Sequence, residues 1–211
     1  MNVKTEIDLY NYQRGAIDKI FERFEDCPND YHLLYQLPTG GGKTIIFSEI
    51  VRQYLKLKKK KVVVLTHRIE LCNQTSKVLS DFGVLNKVVN SKASLDDQHK
   101  YSCFVAMVET LNNRLLDDKL DISDVGLVII DEAHYNSFTK LLKFFSTSFI
   151  LGVTATPLSS NINLPMTDNY DDLIVGESIS ELIKKAVWNT SEDNPTMEWY
   201  RNKMKKERGS K

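Results

Sequence analysis

The stretch Gln36-Leu37-Pro38-Thr39-Gly40-Gly41-Gly42-Lys43-Thr44 decides the fold. A short apolar run, Tyr31 to Gln36, precedes it. Lys43 to about Leu57 follows, with Ile45, Ile46, Ile50, Val51 and Tyr54 at helical spacing. The spacing predicts strand, turn and helix in succession. Glycines at such a turn let the backbone curl until its N–H groups face phosphate oxygens at the start of the helix.

This is the arrangement of a P-loop. Thr39, Gly40, Gly41 and Gly42 form the cradle, Lys43 reaches the β- and γ-phosphates of ATP, and the Thr44 hydroxyl ligates Mg2+. The general pattern has a further glycine where this chain has Leu37, a departure that points to a subclass.

Working outward, apolar runs alternate with amphipathic stretches. Ile17, Ile20, Phe21 and Phe24 mark a helix before the first strand, and Lys61 to Thr66 reads as a second buried strand. A helix over Ile69 to about Asp81, a strand at Lys87 to Val89, a strand at Cys103 to Ala106 and a helix at Val108 to Leu116 come next. Strands at Val125 to Ile130 and Phe149 to Val153 follow, the second being the last convincing one. Leu158 to Asp172 reads as a loop and Ser178 to Trp188 as a helix capped by Ser178. The pattern predicts an α/β, three-layer domain with a mainly parallel central sheet.

A second motif belongs with the first. Val128-Ile129-Ile130-Asp131-Glu132-Ala133-His134 is a buried strand ending in two acids, the usual way to set a magnesium-holding carboxylate opposite a P-loop. Asp131 is the expected Mg2+ partner, through its water, and Glu132 the group that polarises the attacking water. Lys43, Asp131 and Glu132 are thus the candidate catalytic residues.

QLPTGGGKT, VIIDEAHY and GVTATP, in that order, resemble motifs I, II and III of superfamily-2 helicases with a DEAH-type box. The resemblance covers roughly residues 9 to 186 and implies a RecA-like P-loop NTPase domain, the first of two motor domains. Leu9, Tyr12 and Gln13 resemble the element whose Gln amide reads adenine. Thr154, Thr156 and His134 fall where the family links nucleotide state to nucleic-acid grip. Val64-Leu65-Thr66-His67-Arg68-Ile69-Glu70-Leu71 resembles motif Ia, and Met107-Val108-Glu109-Thr110-Leu111 motif Ib, of the repair and restriction-translocase group. Arg68 and Thr110 are the implied phosphate-backbone contacts, which hold a strand without reading bases. The implied partner is single-stranded or duplex nucleic acid, with DNA favoured over RNA.

Composition narrows the class. A hydrophobic share of 42% and a charged share of 27% are those of a globular protein, which argues against a disordered or fibrous chain. Lys plus Arg and Asp plus Glu both total 28, so any nucleic-acid site must be local. The lysine run from Lys56 to Lys61 and the distal Lys203, Lys205, Lys206 and Arg208 are such candidates. Cys27, Cys72 and Cys103 lie too far apart for a metal or redox motif. No membrane span or leader is expected, and the chain reads as cytoplasmic.

The expected organisation is a RecA-like ATP-binding domain over residues 1–186 and a charged, flexible tail over 187–211. No second RecA-like domain is legible after Pro157, so its arginine fingers would come from another chain. The expected function is an ATP- and Mg2+-binding motor domain of a nucleic-acid-dependent ATPase or helicase, unable to unwind alone. The alternative is a nucleotide-binding regulatory module without autonomous ATPase activity.

Overall fold

Runs such as Val62-Val63-Val64-Leu65 and Leu127-Val128-Ile129-Ile130 are apolar at every position, and every one of these side chains is buried. A strand with two apolar faces needs cover on both, which is the condition for a parallel sheet sandwiched between helices. The computed structural model describes residues 8–90, 99–117, 124–158 and 165–188. In chain order these form α1 (Asn11–Asp26), β1 (His32–Gln36), α2 (Lys43–Lys58), β2 (Lys61–Thr66), α3 (Ile69–Asp81) and β3 (Asn86–Val89). Then come β4 (Cys103–Met107), α4 (Val108–Leu116), β5 (Val125–Asp131), β6 (Phe149–Thr154), β7 (Asp172–Val175) and α5 (Ile179–Trp188). Two 3₁₀ stretches, Asn136–Phe144 and Met166–Asp168, complete the described elements.

The strands form one sheet in the order β3-β4-β2-β5-β6-β1-β7, and every pairing is parallel. Alternate residues serve alternate faces. Val63, Leu65, Phe104, Ala106, Val128, Ile130 and Ile150 point to a core shared with Val108 and Leu111 of α4, and with Phe138, Leu141, Met166 and Tyr170. The helices α1, α2 and α3 pack in sequence, α1 on α2 and α2 on α3. The expected α/β, three-layer architecture is therefore the observed one.

Two expectations need correction. Phe149 to Val153 is not the last strand, because β7 adds a parallel edge strand beside β1 with Leu33 opposite Asp172 and Gln36 opposite Val175. It escapes sequence reading because it is four residues long and alternates half-buried with exposed positions. Part of Leu158 to Asp172 is also more than a loop: the Met166–Asp168 turn sends Met166 and Tyr170 into the core. Residues 159–164 lie outside the described set, as do 91–98 and everything from 189 onward, including the distal basic residues.

The chain divides into two compact units, Met1–Gly176, which holds the sheet, and Glu177–Lys211, which holds α5. Ser178 caps α5 as expected. The Ser178 hydroxyl accepts from the Glu181 N–H at 3.3 Å, and the Glu181 carboxylate accepts from the Ser178 N–H at 2.8 Å, a reciprocal capping box. All three cysteines are free, with Cys72 and Cys103 buried. No helix among the described residues is long and apolar enough to cross a membrane.

One close approach fixes the position of β6. A Cβ at Gly152 would stand 2.3 Å from the Tyr170 hydroxyl and 2.5 Å from its ring, so the phenol lies directly on the strand backbone. That hydroxyl is buried with no hydrogen-bond partner among the described residues. Gly152→Ala should therefore cost about 1–3 kcal/mol through overpacking. Tyr170→Phe should be neutral or stabilising by up to about 1 kcal/mol, because it removes an unpaired buried hydroxyl. Urea denaturation of the two variants checks both signs; a neutral Gly152→Ala would contradict the packing described.

Candidate functional site

Because the strands are all parallel, their C-terminal ends share one edge of the sheet, where α/β proteins place ligands. The turn after β1 carries Thr39 to Thr44, the ends of β5 and β6 carry Asp131 and Thr154, and the ends of β2 and β4 lead to Arg68 and Thr110. In the order β4-β2-β5-β6-β1, the two candidate nucleic-acid contacts are therefore neighbours on one side. The glycine loop lies on the other, with β5 and β6 between them.

The loop is built to hold a backbone cradle. Gly40 and Gly42 have φ values of 83° and 82°, in the left-handed region where a side chain is strained. The Gly41 N–H donates to the Pro38 carbonyl at 3.0 Å, and a Cβ at Gly41 would stand 2.7 Å from Leu37 Cγ. Leu37, at the position of the missing glycine, is fully buried beneath the loop. Its carbonyl accepts from Lys43 Nζ at 3.3 Å, and its N–H donates to the Thr154 carbonyl at 2.9 Å. The departure from the general pattern thus supplies a floor for the cradle. Thr39 and Gly40 are exposed at its tip, and Thr44 is half-buried in the first turn of α2.

Gln13 packs on this loop from α1. A Cβ at Gly42 would stand 2.6 Å from Gln13 Nε2, so a side chain there would displace the amide. Gln13 Oε1 accepts from the Tyr10 N–H at 2.9 Å while the Gln13 N–H donates to the Tyr10 carbonyl at 2.9 Å, which closes the N-terminus of α1. The Tyr12 hydroxyl donates to the Gly41 carbonyl at 2.9 Å. The amide expected to read adenine is therefore adjacent to the cradle, with one oxygen lone pair already engaged.

Asp131 ends β5 in a desolvated position. Burial, together with the neighbouring Glu132 charge, pushes its carboxyl up to about 6, against the opposing pull of Lys43 and of the Glu132 N–H. The chain then turns sharply. Glu132 has φ 53°, a left-handed conformation that costs a non-glycine residue about 1–2 kcal/mol. Its carbonyl accepts two bonds, from His67 Nε2 at 3.0 Å and from the Tyr135 N–H at 3.1 Å. A carbonyl can only accept, so His67 carries its proton on Nε2.

His134 and Thr154 meet. The His134 Nδ1 to Thr154 Oγ1 distance is 3.1 Å, and the same nitrogen lies 3.4 Å from Glu132 Oε2. Thr154 is fully buried; its hydroxyl donates to the Thr156 carbonyl at 2.9 Å and accepts from the Thr156 N–H at 3.1 Å. With its single proton given away, Thr154 accepts from His134, and the Glu132 carboxylate requires the same of Nδ1. His134 therefore bears its proton on Nδ1. Of the coupling residues read from sequence, His134 and Thr154 are brought together, whereas the exposed Thr156 enters through its backbone.

Arg68 is exposed at the N-cap of α3, and its carbonyl accepts from the Cys72 N–H and the Thr66 hydroxyl at 3.1 and 3.2 Å. Thr110 sits half-buried in the first turn of α4. The Lys56–Lys61 run faces elsewhere: Lys56 and Lys58 lie in the last turn of α2 and Lys61 opens β2, at the opposite edge of the sheet. Their charge complements the helix C-terminus. Sequence reasoning assigned no role to His67 or Tyr135, although both stand inside motifs it quoted. Among the described residues no group of three or more His, Cys, Asp or Glu side chains forms a metal cluster.

The family model described as type III restriction enzyme, res subunit, matches residues 6–159. The chain is 33% identical over 170 residues to the putative ATP-dependent helicase IRC3 of Saccharomyces cerevisiae, covering 70% of this chain and 23% of that protein. It is 26% identical over 197 residues to the ATP-dependent DNA helicase MPH1 of Scheffersomyces stipitis, covering 84% and 17%. The type ISP restriction-modification enzyme LlaGI, solved as a nuclease-deletion mutant with a DNA substrate mimic, shares the fold at TM-score 0.68 and 18% identity. That likeness covers 93% of this chain and 23% of LlaGI. The chain thus spans less than a quarter of each of these proteins. With the family model matched across most of its length on this parallel sheet, the chain belongs to the type III restriction res-subunit family and is an N-terminal RecA-like domain of the superfamily-2 helicases.

Proposed function

We propose that this chain binds ATP with Mg2+ and forms one wall of the hydrolysis cleft of a nucleic-acid-dependent motor. The observation that carries the reading is the meeting of Lys43, Asp131 and Thr154 at the ends of three adjacent strands, β1, β5 and β6. Gly40, Gly41 and Gly42 would hold phosphate oxygens through their N–H groups, with Thr39 at the loop's open tip. Lys43 would exchange the Leu37 carbonyl for the β- and γ-phosphates. Gln13, packed against Gly42, would present its free amide edge to the base.

Thr44 and Asp131 would hold Mg2+, which neutralises phosphate charge when bound. The donor chemistry fits, because Asp131 is a carboxyl whose ionisation burial disfavours and a cation would favour. Glu132, turned out of the strand by its left-handed backbone, would orient the attacking water. The opposite wall, with the arginines that stabilise transition-state charge, would come from a second RecA-like domain on this or another chain. An arginine of this kind is worth roughly 10³ to 10⁵ in rate, so residues 1–211 alone should turn ATP over very slowly and should not unwind a duplex.

Arg68 and Thr110, side by side beyond β2 and β4, would grip the phosphate backbone of one strand without reading sequence. DNA is the favoured track, since the yeast MPH1 relative is named a DNA helicase and LlaGI was solved with a DNA mimic. Calorimetric titration with Mg–ATP tests the reading. Wild type should bind, and Lys43→Ala should weaken binding about 10- to 100-fold, the worth of a charge-assisted bond. No binding by wild type, or equal binding by the variant, would overturn it.

The Asp131 carboxyl adds a pH-dependent prediction. A carboxyl raised from 3.8 to about 6 by folding contributes most stability below its unfolded value and loses it as pH rises through 6. At one pH unit per 1.36 kcal/mol, the penalty at pH 8 is about 3 kcal/mol, and about half that at pH 5. Asp131→Asn should therefore stabilise the nucleotide-free protein, more at pH 8 than at pH 5, while losing Mg2+-dependent ATP binding. Denaturant melts at the two pH values read the difference; an equal effect at both would remove Asp131 as a desolvated carboxylate.

A further inference from the structure

The turn after β2 and the turn after β5 are joined by one hydrogen bond between residues far apart in sequence. His67 Nε2 donates to the carbonyl of Glu132 at 3.0 Å. Glu132 is one of three non-glycine residues with positive φ among those described, and the other two, Lys59 and Asp124, stand at the opposite edge of the sheet. A strained residue keeps its conformation only when its surroundings over-determine it. Here the Tyr135 N–H supplies a local bond to the same carbonyl, and His67 supplies one from another element.

The contact continues on both sides. The His67 ring meets Tyr135 edge-on, with centroids 4.5 Å apart, and Tyr135 packs on His134 at 4.1 Å. His134 in turn holds Thr154 at 3.1 Å. On the other side His67 is the residue immediately before Arg68. The Arg68 carbonyl accepts from the Thr66 hydroxyl and the Cys72 N–H, which ties the turn to the start of α3. A shift of Arg68 must therefore pull on the Glu132 carbonyl, and with it on the acid that follows Asp131.

We propose that His67 is a positioning residue that couples a nucleic-acid phosphate held at Arg68 to the geometry of Glu132 at the ATP site. The coupling runs through the Nε2–H bond to the Glu132 carbonyl. His67 touches neither substrate; it sets where Glu132 stands. The inference rests on the functional reading above and deepens it by naming the link between the two ligands.

The test is a binding cycle on the intact chain. The affinity for Mg2+ with a non-hydrolysable ATP analogue is measured without and with a saturating thymidine oligonucleotide. In wild type the oligonucleotide should change the analogue's affinity by a factor in the usual allosteric range of about 5 to 150. His67→Phe keeps a ring against Tyr135 and removes the donor; His67→Ala removes both. Each should bring the factor below about 2 while leaving each separate affinity within about twofold. His67→Gln places an amide N–H the same number of bonds from Cβ as Nε2 and should restore most of the factor. Undiminished coupling in folded His67→Phe or His67→Ala, or wild-type binding of both ligands without coupling, overturns this proposal and leaves the functional reading standing. A wild-type chain that binds neither ligand overturns the reading itself, and this proposal with it.

Discussion

Parallel pairing of β5, β6 and β1 is the constraint on which the rest of the site depends. The register sets Ile130 beside Gly152 and Asp131 beside Val153, and Gln36 beside Thr154, so the three strands end together. β6 can lie this close to the core only because Gly152 carries no side chain beneath Tyr170. Thr154 then stands between the P-loop and the acids, bonded through its carbonyl to Leu37 and through its hydroxyl to His134. A one-residue slip of a parallel strand would turn every side chain to the other face and separate these groups.

The same placement explains where the chain holds unfavourable energy. Asp131 is desolvated beside a like charge, and Glu132 adopts a backbone conformation that costs a non-glycine residue free energy. Both costs fall on adjacent residues at one strand end, while the strand itself is apolar throughout its interior. The burial of Val128, Ile129 and Ile130 offsets them. A desolvated carboxyl followed by a second acid turned away from the strand supports the nucleotide–metal site proposed above.

The sheet was largely legible because β1, β2, β4, β5 and β6 carry three or more successive apolar residues and because QLPTGGGKT and VIIDEAHY mark two strand ends. Strand β7 was not, since Asp172, Leu173, Ile174 and Val175 alternate like a surface segment and gain their place only by pairing with β1. The residues of the site were legible as types, but most of their bonds were not. Nothing in THRIEL signals that His67 will reach a carbonyl 65 positions away, because that contact depends on β2 and β5 being neighbours. Gln13 shows the same limit: its position beside the loop was readable, whereas its bond to the Tyr10 N–H was not.

The most direct test of the central claim replaces Mg2+ with Mn2+ and follows backbone amide signals by nuclear magnetic resonance while Mn–ATP is added. A nucleotide–metal site where β1, β6 and β5 end should broaden the signals of Gly40 to Thr44, Asp131, Glu132 and Thr154 first, and should leave Lys56 to Lys61 at the far edge sharp. Broadening centred at any other part of the sheet, or none at all, would contradict the account.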